Sequence, residues 1–443
     1  MQHTLLRGIL IFVGIISLLL IPKTVSQATE LDLPTQYDWR DHGYDSPVKD
    51  QGECNSGYAF AAVDAVQAAI WITDSIKLES LVFSENNAKE CNWQALNHYA
   101  GLPNTCEGGN FKMLTNLFTQ QGLVLEACDP YMDYDTTCNT SCKSQYYITD
   151  WQQFGPSDKP ASIDLIKQKL MEHGPLYTQM DPKITGFEDY SGGNALTGTS
   201  QDPNNWTHGV LIVGWDDNLP YTGGKGAWIV KNSYGVEWGD DGYFAIAYGK
   251  AGIGSSLATV TGWELDSIFN KIHSYDEAGH TNQMSISEKD FFSGSAMALF
   301  SLVPNEIPLA VEFWTNDGAT VSIEIYELFD GIGLINLLYK SAEIDIPYAG
   351  YHHIKINQNL EIQEDSEIAV VLNVKNESKF FPIVLDHLGP LSSDKTWFRD
   401  AEGIWQSLPA WQGQTFEGTI RLRTLLIPEG LNHKIFLPIV STK

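Results

Sequence analysis

The chain has 443 residues, 43% of them hydrophobic and 12% aromatic, which suits a globular protein of two domains and excludes a disordered or fibrous one. Its formal charge of −28 argues against nucleic acid and against anionic membrane surfaces as partners.

Near the N-terminus Arg7 precedes an uncharged apolar run from Gly8 to Pro22, and small or polar residues follow around Ser26 and Ala28. This pattern predicts a secretory signal peptide over residues 1–28 and a secreted or extracellular protein. No stable membrane span is expected, because the run is shorter than the roughly 20 residues a spanning helix needs. Export gives meaning to Cys54, Cys91, Cys106, Cys128, Cys138 and Cys142. An even set confined to the first half reads as three disulfides with no thiol left over, although their pairing stays open. No metal or cofactor is expected, since no histidine pair sits at ligand spacing beside them.

After a turn-rich entry, "SGYAFAAVDAVQAAIWITD" repeats Ala, Val and Ile at helical spacing and predicts a buried helix from about Ser56 to Trp71. Residues 84–150 are rich in loops. A second helix is expected at "SIDLIKQKLMEH", stopped by Gly174 and Pro175. From His208 the texture changes to short β-branched and aromatic runs, so residues 33–265 read as an α+β domain. Alternating runs such as "LAVEFWT", "VSIEIYEL" and "GTIRLRTLLI" then predict an all-β sandwich over residues 268–427, followed by a tail at 428–443.

Three segments can converge on one site. "QGECNSGY" puts Gln51 on a loop just before a helix, "WTHGVLIVGW" starts a strand with His208, and "WIVKNSYG" ends another with Asn232. A helix N-terminus favours a thiolate, a histidine serves as base, and an amide fixes the imidazole. A lone histidine at a strand start is more often structural; the three segments together carry the signal.

In order, "PVKDQGECNSGYAF", "FSENNAKEC", "TCEGGN", "HGPLYTQM", "THGVLIVGW" and "WIVKNSYGVEWGDDGYF" resemble the motifs of the papain family (C1) of cysteine peptidases. The resemblance implies a helical subdomain beside a β-barrel-like one. Gln51 would supply the oxyanion-hole amide, His208 the base and Asn232 its orienter, with Gly108 and Gly109 lining the substrate groove. It also implies the pairs Cys54–Cys106, Cys91–Cys138 and Cys128–Cys142. The nucleophile's position falls on Gly57, and two family tryptophans are replaced by Tyr58 and Tyr234. No inhibitory propeptide of the family's kind fits between the signal and Leu33.

Residues 268–427, opening with "KIHSYDEAGH", resemble the lectin-like domain of some bacterial papain-family proteins. There Trp314, Trp397, Trp405 and Trp411 either fill the sandwich or stack on sugars, the first being commoner. The favoured expectation is a catalytically inactive homologue that binds a peptide, protein or surface ligand in the groove. The alternatives are an active cysteine-type endopeptidase, and a carbohydrate-binding or adhesion protein working through the second domain.

Overall fold

The computed structural model describes residues 33–44, 46–74, 81–97, 105–267, 270–284, 291–360, 362, 366–389, 394–408 and 416–428. The expected signal peptide, Trp411 and residues 429–443 lie outside these. The N-terminal half is built around α1 (Gly57–Asp74), in which residues from Gly57 to Val63 and from Ala65 to Ile70 are buried. A helix apolar on every side belongs at the centre of a core. It packs against α2 (Glu85–Cys91) and α4 (Phe111–Gln120), with the short α3 (Trp93–Leu96) beside them. Ser84, Asn92 and Asn110 cap the three, each side chain accepting a hydrogen bond from the first turn. A fifth helix, α5 (Ile163–His173), is capped by Ser162 and ends at Gly174. The other flank of α1 meets antiparallel strands, among them Leu176–Met180, His208–Tyr221, Gly224–Lys231 and Ser255–Leu265.

The alternating sequence pattern separates this sheet from the C-terminal sandwich, but the main chain joins them. Strand Ser144–Gln153 pairs with strand Ala349–Lys355, Trp151 opposite Tyr351. The sheet then runs on through Glu306–Thr315, Arg421–Leu426 and Asn270–His273 to a total of twelve strands. Gly350 permits the junction, because a Cβ there would lie 2.0 Å from the carbonyl oxygen of Trp151. A seven-stranded sheet centred on Ser293–Ser301, Ala319–Phe329 and Glu367–Asn376 packs on the C-terminal part and encloses Phe313, Ile323, Val370 and Leu422. Strand pairing between the halves is main-chain hydrogen bonding, which side-chain alternation does not encode. Trp314, 2% exposed, meets Trp151 and Tyr351 edge to face and belongs to the core; Trp397 and Trp405 are half-buried, the first against Phe329.

Two fully buried ion pairs lie along this seam. Arg421 donates to both carboxylate oxygens of Asp276, at 2.8 and 2.7 Å, and Arg423 to both of Glu312, at 2.8 and 2.9 Å. Their remaining donors reach into α4: Arg421 bonds Asn116 at 2.6 Å and Thr119 at 2.9 Å, and Arg423 bonds the Thr119 carbonyl at 3.1 Å. Tyr351 and His353 complete the shell of Glu312, at 2.6 and 2.8 Å.

Candidate active site

Gln51 stands on the turn before α1, 5% exposed. Its Nε2 donates to the Cys54 carbonyl at 2.7 Å, and its Oε1 accepts from the Ser233 hydroxyl at 2.6 Å. The Gln51 N–H donates to the Ser233 carbonyl at 2.8 Å, which ties this turn to the segment after strand Gly224–Lys231. A disulfide between Cys54 and Cys106 anchors the other side of the turn, and the Asn55 N–H donates to the Cys106 carbonyl at 3.0 Å. Two further bridges join Cys91 to Cys138 and Cys128 to Cys142, so no cysteine is free.

His208 opens its strand and is brought over the start of α1 because Gly209 packs directly on the helix; a Cβ there would lie 2.8 Å from the Tyr58 Cα. The His208 Nε2 meets Asn232 Oδ1 at 2.8 Å. An amide oxygen only accepts, so Nε2 carries the hydrogen and Nδ1 turns a lone pair toward α1. Tyr234 covers the pair, its ring 5.2 Å from that of His208 and backed by Trp238 at 5.4 Å. Burial lowers the His208 pKa, with the Asn232 bond opposing, and the ring is held neutral. The Nδ2 donor of Asn232 is buried with no hydrogen-bond partner.

What faces His208 is Gly57, the first residue of α1. A Cβ at Gly57 would lie 2.6 Å from Cε1 and 2.7 Å from Nδ1 of His208, and 3.0 Å from Oε1 of Gln51. Real Cβ atoms do not approach so closely, so the imidazole rests in space that any side chain here would need. Of the hydroxyls on either side of Gly57, that of Ser56 is fully buried and bonded to the Tyr131 hydroxyl at 2.6 Å, and that of Tyr58 is bonded to the Thr105 carbonyl. Gln51, His208, Asn232 and Gly57 are therefore gathered in one place, with no side-chain atom of residue 57 between the His208 ring and the helix start.

Gly108 is exposed with φ +123° and open space beside it, whereas Gly109 faces inward. The Tyr58 ring and Met113 fill the place of a Gly109 side chain, and Tyr58 donates to the Thr105 carbonyl at 3.1 Å. Beyond them the chain forms one wall of a cleft of about 350 Å³, bounded by Asn110, Phe111, Lys112, Tyr177, Gln179 and Ser256. Among the described residues no three His, Cys, Asp or Glu side chains gather as a metal site. His352 and His353 are each partnered, by Thr315 and Glu312.

Sequence reasoning missed Ser233, Tyr131 and Lys112. Ser233 lies inside the quoted "KNSYG" and could have been found there; a tyrosine in a loop and a lysine in a helix's first turn carry no such signal.

Comparison with known proteins bears on both halves. A sequence model of the papain family of cysteine proteases matches residues 33–261, and one of a lectin-like domain matches 272–402. Cathepsin R of Mus musculus is 34% identical over 225 residues, 49% of this chain and 61% of its own length. A cathepsin L-like peptidase of Aedes aegypti is 31% identical over 233 residues, 51% of this chain and 62% of its own. The chain thus spans only 61 to 62% of these curated relatives. The cysteine protease and lectin-like domains of Cwp84, described as a surface layer associated protein of Clostridium difficile, share the whole layout. They superpose with a TM-score of 0.72 at 17% identity, covering 89% of each chain, and so establish likeness of fold. With more than half its length matched by the family model, this chain belongs to the papain family of cysteine proteases, its family domain followed by a lectin-like one.

Proposed function

We propose that this chain is an exported papain-family protein that works without peptidase chemistry, holding a peptide or surface ligand in its cleft. The single observation that carries the reading is the contact at Gly57, where the His208 ring occupies the room a nucleophile's side chain would take. In this reading Gln51, His208 and Asn232 are the remnant of the family's catalytic set, and Gly108 and Gly109 line the ligand groove. Loss of a triad nucleophile typically costs on the order of a million-fold in rate. All six cysteines are oxidised, so no thiol stands in reserve. Export is supported by the signal-like residues 1–28, by three disulfides, and by the surface-layer association stated for the Cwp84 neighbour. Among the described residues no helix is long and apolar enough to cross a membrane.

The test is to treat the purified full chain with an epoxide that alkylates active-site thiols, and to incubate it with casein. Neither labelling nor cleavage is expected; casein cleavage that the epoxide abolishes would overturn the reading.

A second reading, carbohydrate binding through the C-terminal half, draws on one feature. The outer face of the seven-stranded sheet carries an open groove of about 530 Å³ floored by the cross-strand row Ser295–Asn373–Ser322, with Lys375 and Arg399 at its edge. Hydroxyls and an amide at strand spacing match the hydroxyls of a sugar. A glycan array probed with the full chain and with Asn373→Leu decides it: binding lost in the variant supports the reading, and no binding by either removes it.

A further inference from the structure

Two cavities meet at the first turn of α4. One is the cleft; the other lies between α4 and the C-terminal half and is lined by Asn110, Lys112, Asn116, Ala278, His280 and Thr281. Lys112 belongs to both. Elsewhere the fold gives its buried cations a carboxylate: Lys231 meets Asp64 at 2.7 Å, Arg421 meets Asp276 at 2.7 Å and Arg423 meets Glu312 at 2.8 Å. Lys112 is different. Among the described residues no acid acts on its ammonium; burial, and then the neighbouring Lys379 ammonium, push its pKa down to about 8. His280 is driven well below the ordinary histidine value by burial and by these same two lysines, with a bond to Gln283 opposing. The N-terminus of α4, whose first N–H groups favour negative charge, adds to the positive field.

In a chain of net charge −28, Lys112 and His280, one from each half, thus line one cavity, and Lys379, whose ammonium donates to the Asn316 carbonyl at 2.8 Å, acts on both. We infer that Lys112, backed by Lys379 and His280, receives a carboxylate of the ligand in the cleft, so that the peptide bound there is one carrying an acidic side chain. This rests on the cleft-binding reading and names the ligand's chemistry. A ligand carboxylate would meet an ammonium already partly desolvated, which strengthens a charge-assisted hydrogen bond.

Two measurements on the full chain test it. Calorimetry with acetyl-Ala-Glu-Ala-amide and its Gln counterpart should give the Glu peptide about 10- to 100-fold tighter binding, a preference lost in Lys112→Met. Equal binding of the two peptides by the unaltered chain would overturn the inference and leave the cleft reading standing. If neither peptide binds, the cleft reading fails and the second measurement decides the inference alone. Reductive methylation with ¹³C-formaldehyde makes the Lys112 ammonium visible by NMR. Saturating glutarate should move its titration upward by about one pH unit, as a newly bound carboxylate requires. A titration that glutarate leaves unmoved would overturn the inference.

Discussion

The two ends of the N-terminal half treat charge in opposite ways. At the start of α1, His208, Asn232 and Gln51 surround Gly57, and burial lowers the pKa of an imidazole whose bonded partner is an amide. At the seam, Arg421, Asp276, Glu312 and Arg423 are sealed from water as complete pairs, with nearly every donor and acceptor used. In the first region the imidazole rests against a glycine, while at the seam buried charge joins the two halves. A buried pair is favourable only when complete, so the seam is the more fragile of the two regions toward single substitution.

Breaking one partner there should give the largest effect. Arg423→Met leaves Glu312 buried beside His353 and Tyr351 and should cost about 3–5 kcal/mol in urea unfolding. The double change Arg423→Met with Glu312→Leu should recover most of that, since no unpaired charge remains. A double variant as unstable as the single one would mean that shape, not charge, holds the joint.

Acid should weaken the pair formed by Glu312 and Arg423. Burial alone would raise the Glu312 carboxyl, but the Arg423 guanidinium and His353 overcome it and hold the pKa at about 2 rather than 4.5. A depressed carboxyl stabilises fully above the unfolded value and loses that stabilisation as pH falls from 4.5 through about 2. Roughly 3 kcal/mol should disappear over that window. Arg423→Met should lose this contribution, so its urea midpoints at pH 6 and pH 3 should differ by less than those of the unaltered chain.

The smallest expected effect falls on the site. Gly57→Cys must displace the His208 ring and should cost about 1–3 kcal/mol as an overpacked position, without rapid thiol alkylation. Burst alkylation and casein cleavage by this variant would mean that the ring yields readily and that the remnant is still competent, which would narrow the contrast between the two regions.

Much of the first region was legible in the sequence. "QGECNSGYAF", "THGVLIVGW" and "WIVKNSYG" named Gln51, His208 and Asn232 because the motifs are local and each sits at the end of an element whose pattern is plain. What the motifs could not give was the imidazole's position over Gly57, since that depends on a vacancy being filled. The seam was illegible for another reason. In "GTIRLRTLLI" the alternation of Arg421 and Arg423 reads as the wet face of a strand, yet that face is covered by α4 and by Tyr147, whose ring lies 4.0 Å from the Arg423 guanidinium. Alternation tells which residues share a face and is silent on what covers it. The junction at Gly350 was hidden likewise, a glycine in a strand pattern being easily read as a turn.

The bonds from Arg421 to Asn116 and from Arg423 to Thr119 span 305 and 304 residues of chain. Contacts of such high order bring no stabilisation until a very long loop has closed, so they belong to the late events of folding. During synthesis at about 5–20 residues per second, the face of α4 that receives the arginines waits roughly 15 to 60 s for them. In that interval the N-terminal half is without its permanent cover and is open to whatever else can pair with strand Ser144–Gln153. A growing chain of this kind is therefore most prone to misassociate midway through its own translation, and chaperone demand should peak before residues 421–423 appear.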